Sequence, residues 1–240
     1  MRSEVWREFK RFGDVPTLVV CRGDAGAAAE KGCILVFHGL GAAKDVHLKE
    51  LGSLAAQGFL AVGIDNVGHG ERRHPDFDTR FAHDNPDVYQ NFLQAVAETA
   101  AEVPSLVDAL TESGFAQTKM GILGISMGGY ITYKAVTLEP RLRAAVCLVA
   151  SPEWSLNPSE SPHRQLGRFD RVRLLSQTAG RDQVVPSRYA RAFHEQLGDK
   201  YRDYDDRFTY AEYPDSDHML ANDWDRIWAE TLSWFDKQLT

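Results

Sequence analysis

The chain has 240 residues, of which 43% are apolar and 25% are charged, a composition typical of one large globular domain or at most two small ones. Its formal charge is -7 with acidic and basic residues interleaved, which excludes the one-sided basic surface that a nucleic-acid partner requires. No apolar stretch has the length of a signal peptide or of a membrane-spanning helix. We therefore expect a cytoplasmic protein with no nucleic-acid partner and no membrane association.

Apolar runs rich in β-branched residues recur and predict strands at 17–21, 33–38, 59–65, 119–125, 144–150, 171–179 and 208–213. Most of these runs are continuous rather than alternating, as in strands that are covered on both faces. Helical periodicity is found at 46–58, 88–113, 127–138, 187–197 and 223–239. Strands that alternate with helices predict an α/β fold, with a mostly parallel central sheet and helices on both faces, formed as a single domain over residues 1–240.

One insertion, at about 71–95, interrupts this alternation. It begins without a regular period and then grades into the helix at 88–113. Long irregular insertions often cover functional sites, so this segment is a candidate wall or lid. Pro104, inside the helix that follows, is expected to kink or break it.

The residues Gly124-Ile125-Ser126-Met127-Gly128 form a G-x-S-x-G motif between a predicted strand and a predicted helix. Such an abrupt turn strains the backbone at the serine and crowds the neighbouring positions, where glycine avoids collisions. Ser126 is therefore a candidate nucleophile at the carboxyl edge of the sheet, where open α/β sheets bind ligands. The alternative is an inert serine in a tight turn.

A serine hydroxyl needs a base that takes its proton and a third group that orients the base. Asp182 follows the strand at 171–179, and His218 follows the strand at 208–213, so both are expected at the same edge of the sheet as Ser126. Asp215 and Asp217 are alternatives for the acid, but they are close to His218 in sequence and would not align easily behind its ring.

Two backbone amides are needed to bind a developing oxyanion, and we assign them to Met127 and Leu40. Met127 begins the helix after the serine, and Leu40 follows His38 and Gly39 at the end of an early strand. His38 and Gly39 are accordingly predicted to contact the substrate, although a structural role for His38 is the competing interpretation.

Other polar residues are candidates for further contacts with a ligand. Arg72 and Arg73 could pair with a substrate carboxylate, or they could be solvated. His194 is expected to be solvated on its helix. The spacing of histidines and aspartates within the insertion matches no metal motif, and Cys21, Cys33 and Cys147 lie in separate apolar runs without a CxxC pair. We therefore expect reduced core thiols, no metal ion and no cofactor.

These motifs resemble those of the α/β-hydrolases, and most of all the dienelactone-hydrolase-like and prolyl-oligopeptidase-like small serine esterases. The matching segments occur in the family's order, at HGLG (38–41), DNVGHG (65–70), GISMGG (124–129), AGRDQVVP (179–186) and DSDHM (215–219). Two features depart from relatives. Dienelactone hydrolase uses a cysteine nucleophile where this chain has Ser126, and the large cap domain of many relatives is absent.

The resemblance implies a carboxylesterase that cleaves small-molecule esters of small to medium acyl chain through an acyl-enzyme. Three alternatives stay open: a peptidase or amidase, an acyltransferase with the same triad, and a non-catalytic ligand-binding protein that keeps the fold. The sequence leaves the oligomeric state open.

Overall fold

A single eight-stranded sheet runs through the computed structural model, which describes residues 5–239. The strands lie in the order β1-β2-β4-β3-β5-β6-β7-β8. Their bounds are β1 Val5–Phe12, β2 Val15–Arg22, β3 Cys33–Phe37, β4 Leu60–Ile64, β5 Met120–Ile125, β6 Leu142–Leu148, β7 Arg173–Ala179 and β8 Phe208–Tyr213. Neighbours from β4 to β8 are parallel, whereas β2 is antiparallel to both β1 and β4.

Helices cover both faces of the sheet. Their bounds are α1 Ala25–Lys31, α2 Leu48–Ala56, α3 Phe77–Arg80, α4 Val88–Glu112, α5 Met127–Leu138, α6 Arg188–Lys200, α7 Tyr204–Arg207 and α8 Trp224–Leu239. Buried residues of α1, α4, α5 and α6 pack on one face, and those of α2 and α8 pack on the other. The predicted α/β fold with a mostly parallel sheet is confirmed.

The continuous apolar runs are strands buried on both faces. All five residues of β3 are buried, with Leu35 and Phe37 in the core on one side of the sheet and Ile34 and Val36 in the core on the other. The edge strand β1 was not predicted from the sequence. It is charged and mostly exposed, and it pairs with β2 through a tight turn at Gly13, whose φ of 59° favours glycine.

The helix α4 passes through Pro104 without a break, so the predicted interruption does not occur there. Proline removes one hydrogen bond of the helix, but the buried residues on either side of it, Val103 and Leu106, belong to the apolar core. Packing of this apolar face holds the helix together across the missing bond.

The prediction of a solvated His194 is wrong. Its side chain lies on the inner face of α6 beside Phe193 and Leu197, and the residue is only 3% exposed. The two ring nitrogens are hydrogen-bonded to Tyr204 Oη and Ser176 Oγ, both at 2.8 Å. A histidine whose nitrogens are both satisfied in this way can replace an apolar residue in the core.

All three cysteines lie in the interior of the protein. Cys21, Cys33 and Cys147 are buried and free, and burial raises the pKa of Cys33 to about 12, which keeps it a thiol.

The connection from β6 to β7 contains two short 3-10 turns, Pro162–Arg164 and Leu166–Phe169, and no cap domain. Within residues 5–239, no helix is long and apolar enough to span a membrane.

Candidate active site

Ser126 lies between the last residue of β5 and the first residue of α5, in a strained backbone conformation with φ 55° and ψ -116°. The turn is possible because its neighbours lack side chains. A Cβ on Gly124 would lie 1.8 Å from the carbonyl oxygen of Gly128, and a Cβ on Gly128 would lie 2.1 Å from that of Phe37. The glycines thus allow β5, α5 and β3 to approach closely, and the serine is held at the edge of the sheet.

The structure brings Ser126, His218 and Asp182 into one hydrogen-bonded chain. Ser126 Oγ lies 2.9 Å from His218 Nε2, and His218 Nδ1 lies 2.7 Å from Asp182 Oδ2. The Asp182 side chain is buried, whereas the imidazole of His218 is partly exposed. In this order of contacts, Nδ1 carries the proton shared with the carboxylate, and Nε2 can accept the proton of the serine.

Asp182 is fixed by its own loop. Its Oδ1 accepts hydrogen bonds from the backbone amides of Val184 and Val185, both at 2.8 Å, which leaves Oδ2 for the histidine. These bonds satisfy a carboxylate that has no access to solvent.

The loop that carries His218 is joined to the loop that carries Asp182. The amide of Gly180 donates to Tyr213 O at 2.8 Å, and the amide of Arg181 donates to Ser216 O at 2.9 Å. Arg181 also forms an ion pair with Asp215 across the two loops. Asp217 accepts a bond from the Met219 amide, so both alternative acids have other partners than His218.

The residues assigned to the oxyanion site lie on either side of the nucleophile. Because β3 and β5 are parallel and Phe37 is in register with Gly124, the loop after β3 runs beside Ser126. A Cβ built on Gly39 would be 3.7 Å from Ser126 Cβ. Among the described residues, the amides of Leu40 and Met127 donate to no protein acceptor, so both are free to bind a ligand.

A mostly apolar cavity of about 550 Å³ opens at the Ser126 hydroxyl. Its walls are formed by the loop after β3, which contributes Gly39 and Leu40, by the start of α4 and by the loops after β7 and β8. Of the insertion at 71–95, Val88, Tyr89 and Phe92 reach the cavity, and they form a wall. Val184 and Met219, which are 70% and 75% exposed, lie at its mouth.

The structure does not bring His38, Arg72 or Arg73 to this cavity, although each was predicted to contact the substrate. His38 is buried; its Nε2 accepts from the Asn66 amide, and Nδ1 lies 2.7 Å from Gly39 O. Burial lowers the pKa of His38 to about 4, so it is neutral and structural.

The two arginines are occupied elsewhere. Arg72 makes a bidentate pair with Glu102, at 2.8 and 2.7 Å. Arg73 pairs with Asp78 and lies on the ring of Phe77, with its Cζ 3.6 Å from the centroid. These partners fix the fold of the insertion. Those of Arg73 lie four and five residues further along, whereas Glu102, the partner of Arg72, is thirty residues away and no local pattern reveals it.

Sequence reasoning missed an ion-pair cluster behind the loop that carries Leu40. Lys44 Nζ lies 2.9 Å from Asp65 Oδ2 and 2.7 Å from Glu71 Oε1. Asp65 also accepts hydrogen bonds from the Lys44 and Glu71 amides. Burial alone would raise the pKa of Asp65, but the bonds from Glu71 and Lys44 lower it, so the carboxylate is ionised. The segment DNVGHG contained the signal for Asp65, whereas Lys44 had none.

Over residues 5–239, no group of three histidine, cysteine, aspartate or glutamate residues is placed to hold a metal ion. The histidines and aspartates of the insertion therefore do not converge on one point.

The parallel sheet, the strained serine and its hydrogen-bonded histidine and aspartate define a serine hydrolase with the α/β-hydrolase fold. The model of the family described as serine aminopeptidase, S33, matches residues 28–168, which is more than half of the chain. This chain belongs to that family. The resemblance to α/β-hydrolases inferred from the motifs is confirmed.

Three relatives illustrate the similarity. The Bacillus subtilis protein named "Putative esterase YitV" is 24% identical over 86% of this chain and 89% of its own length. TT1662 from Thermus thermophilus has a crystal structure with a TM-score of 0.82 at 19% identity, covering 98% of both chains. A Klebsiella pneumoniae structure named "Putative Dienelactone Hydrolase" has a TM-score of 0.75 at 20% identity and covers 97% of this chain and 98% of its own.

Proposed function

We propose that this protein is a carboxylesterase that hydrolyses small-molecule esters of small to medium acyl chain through an acyl-enzyme. The observation that carries the proposal is the chain of contacts from Ser126 Oγ to His218 Nε2, at 2.9 Å, and from His218 Nδ1 to Asp182 Oδ2, at 2.7 Å. These distances suit proton transfer from the hydroxyl to the imidazole without rearrangement.

In the first half of the reaction, His218 Nε2 takes the proton of Ser126 as Oγ attacks the ester carbonyl carbon. The negative charge that forms on the carbonyl oxygen is bound by the Leu40 and Met127 amides. Asp182 holds the imidazole in the required tautomer and stabilises the imidazolium. When the tetrahedral intermediate collapses, His218 donates its proton to the leaving alcohol, and the acyl group stays on Ser126.

In the second half, His218 takes a proton from water, and the resulting hydroxide attacks the acyl carbon. Collapse of this second intermediate returns the proton to Ser126 Oγ and releases the carboxylic acid. The partial exposure of the imidazole supports this step, because water needs access to Nε2.

The lining of the cavity supports an apolar acyl or alcohol group. Leu40, Phe92 and Val185 line the cavity together with Ser126, and a volume of about 550 Å³ lies within the usual range for small-molecule sites. Transfer of apolar groups from water into such a cavity contributes about 0.8 kcal/mol for each methylene that is buried. We therefore expect kcat/KM to rise with chain length until the cavity is filled.

The test is a series of nitrophenyl esters from C2 to C12, together with a fluorophosphonate probe that phosphonylates an activated serine and releases fluoride. We expect labelling at Ser126 and turnover that peaks at an intermediate chain length. Ser126→Ala should lose labelling and several orders of magnitude of turnover, while Ser113→Ala, at an exposed helix end, should keep both. Full turnover by Ser126→Ala, or no labelling of the wild-type chain, would overturn the proposal.

The second candidate is cleavage of a short peptide or amide by the same groups, which the description of the family as serine aminopeptidases favours. Amides differ from esters in their poorer leaving group, so the same triad can act on both at different rates. Aminoacyl anilides compared with nitrophenyl esters of the same acyl group separate the two. A higher kcat/KM on the anilides would make the protein a peptidase.

A further inference from the structure

A second, smaller cavity of about 220 Å³ adjoins the cavity at the serine. The two share Tyr89, Tyr130 and Val184 in their walls, so a group bound in one lies next to a group bound in the other. Glu153 and Tyr189 line only the second. Its volume is below the usual range for a whole ligand, which suits one small functional group of a substrate.

The second cavity differs from the first in its chemistry. One of its lining residues is the exposed Glu153, whose carboxylate has no hydrogen bond or ion pair with another described residue. Its backbone is nonetheless fixed, because Ser151 Oγ accepts from the Glu153 amide at 3.0 Å and donates to the Glu153 carbonyl at 2.8 Å. A carboxylate on a fixed backbone beside the catalytic cavity is a preformed anionic contact for a ligand.

Aromatic rings complete the second cavity. Tyr89, Tyr130 and Tyr189 all line it, and the faces of such rings attract cations. The ring of Tyr189 already holds the guanidinium of exposed Arg188, whose carbon lies 4.6 Å from the ring centroid and whose Nη2 donates to Tyr189 Oη at 2.9 Å, so Tyr89 and Tyr130 provide the remaining rings. Carboxylate and aromatic rings together form the kind of surface that binds ammonium groups.

We propose that the cavity lined by Glu153, Tyr89, Tyr130 and Tyr189 binds a small ammonium group on one arm of the substrate. The preferred substrates are then esters with one apolar arm in the larger cavity and one cationic arm beside Glu153. This inference rests on the proposed function for the reaction at Ser126, but the binding of the cation is a separate property that can be measured without turnover.

The kinetic test compares pairs of substrates that match in shape and differ in charge. Choline esters against 3,3-dimethylbutyl esters place the charge on the alcohol, and β-alanyl against butanoyl nitrophenyl esters place it on the acyl group. In at least one of these two pairs, kcat/KM should be higher for the cationic ester than for its neutral counterpart. Glu153→Gln should reduce that preference about 3- to 10-fold and leave the neutral member unchanged, as expected for a charge contact that is partly exposed. Glu195→Gln, which removes an exposed charge from α6, is the matched control and should change neither.

The binding test uses Ser126→Ala, which cannot turn over ester, and ligand-detected NMR with choline and its neutral analogue 3,3-dimethylbutanol. Choline should bind more tightly than the analogue, and adding Glu153→Gln should abolish the difference. Equal binding of the two ligands, or a preference that survives Glu153→Gln, overturns the ammonium site. If choline binds as expected but no ester is cleaved, the site stands and the proposed reaction fails.

Discussion

Lys44 and Asp65 form an ion pair that is almost completely withdrawn from water, with side chains 6% and 0% exposed. The Lys44 amide also donates to Asp65 at 2.8 Å, so both the main chain and the side chain of residue 44 are tied to the end of β4. Lys44 follows Leu40 by four residues. The pair therefore fixes the loop that lies beside the nucleophile.

Loss of the Asp65 charge should lower the free energy of unfolding strongly. Asp65→Asn leaves the buried ammonium of Lys44 with only the half-exposed Glu71 as its anionic partner, and removing one partner of a buried pair typically costs about 3–5 kcal/mol. Glu71→Gln removes a half-exposed partner of the same lysine and should cost less than about 1 kcal/mol. Urea denaturation of both variants measures the difference. Equal losses in the free energy of unfolding would show that Asp65 contributes no more to stability than Glu71 does.

The acid of the triad can be identified by substitution. Asp182→Asn should lower kcat about 10⁴-fold, because the imidazole would lose its orientation and its tautomer. Asp215→Asn, in the neighbouring loop and paired with Arg181, should stay within about a factor of three of wild type. A larger loss at residue 215 than at residue 182 would reverse the assignment.

The triad should also act as one unit. If it does, the double variant Ser126→Ala, Asp182→Asn should be no slower than Ser126→Ala alone, since the loss of the nucleophile already removes the contribution of the other two. Residual turnover of the three variants with a single nitrophenyl ester checks this. Losses that multiply in the double variant would show that Asp182 works independently of the serine.

Two glycines in helices should respond oppositely to alanine. At Gly128 a Cβ would lie 2.1 Å from Phe37 O, so Gly128→Ala must displace the turn, lowering both the free energy of unfolding and the turnover. At Gly52 in α2, no atom lies within 4 Å of the added Cβ, and Gly52→Ala should stabilise by about 0.5–1 kcal/mol through helix propensity. Thermal denaturation and ester turnover of the two variants test both predicted directions of change. Tolerance of alanine at residue 128 would show that the turn is less tightly packed.

Acid should destabilise the fold through His194. Burial lowers its pKa to about 3, whereas an unfolded histidine has a pKa of about 6.5, so between these values the unfolded chain binds the proton and the folded chain does not. The stability contributed by neutral His194 is present above about pH 6.5 and is lost as the pH falls. His194→Gln should reduce the slope of the free energy of unfolding against pH by up to about 1.4 kcal/mol per pH unit near pH 5.

Urea denaturation from pH 4 to pH 7 measures this slope, which is independent of any overall loss of stability in the variant. His83→Gln, at an exposed position of the insertion, is the matched control for the substitution itself. An unchanged slope in His194→Gln would show that His194 is protonated in the folded state.

The convergence of Ser126, Asp182 and His218 could be predicted from the sequence because each residue has a local signal. The glycine-rich motif around Ser126 is contiguous in sequence, and Asp182 and His218 each follow a strand whose apolar run is evident. Parallel strands bring their carboxyl ends together, so three remote residues converge. Local pattern and chain topology were sufficient for this part of the site.

The remaining features depend on tertiary partners. The strand β1 is charged and exposed, so its conformation is set by pairing with β2 rather than by an apolar pattern of its own. Arg72 could face solvent, substrate or protein, and the structure pairs it with Glu102, thirty residues further along. Glu153 was overlooked because an isolated glutamate in a loop has no signature until tyrosines from other elements surround it.

Asp182 is anchored through the backbone amides of Val184 and Val185, while the side chain of Val184 projects into the entrance of the substrate cavity. In the proposed esterase, one short segment thus holds the acid with its main chain and contacts the substrate with its side chains. Replacing Val184 by another non-proline residue retains the amide that holds the acid. Substitutions at residue 184 can therefore change which molecules fit the cavity while the backbone anchor of Asp182 is kept.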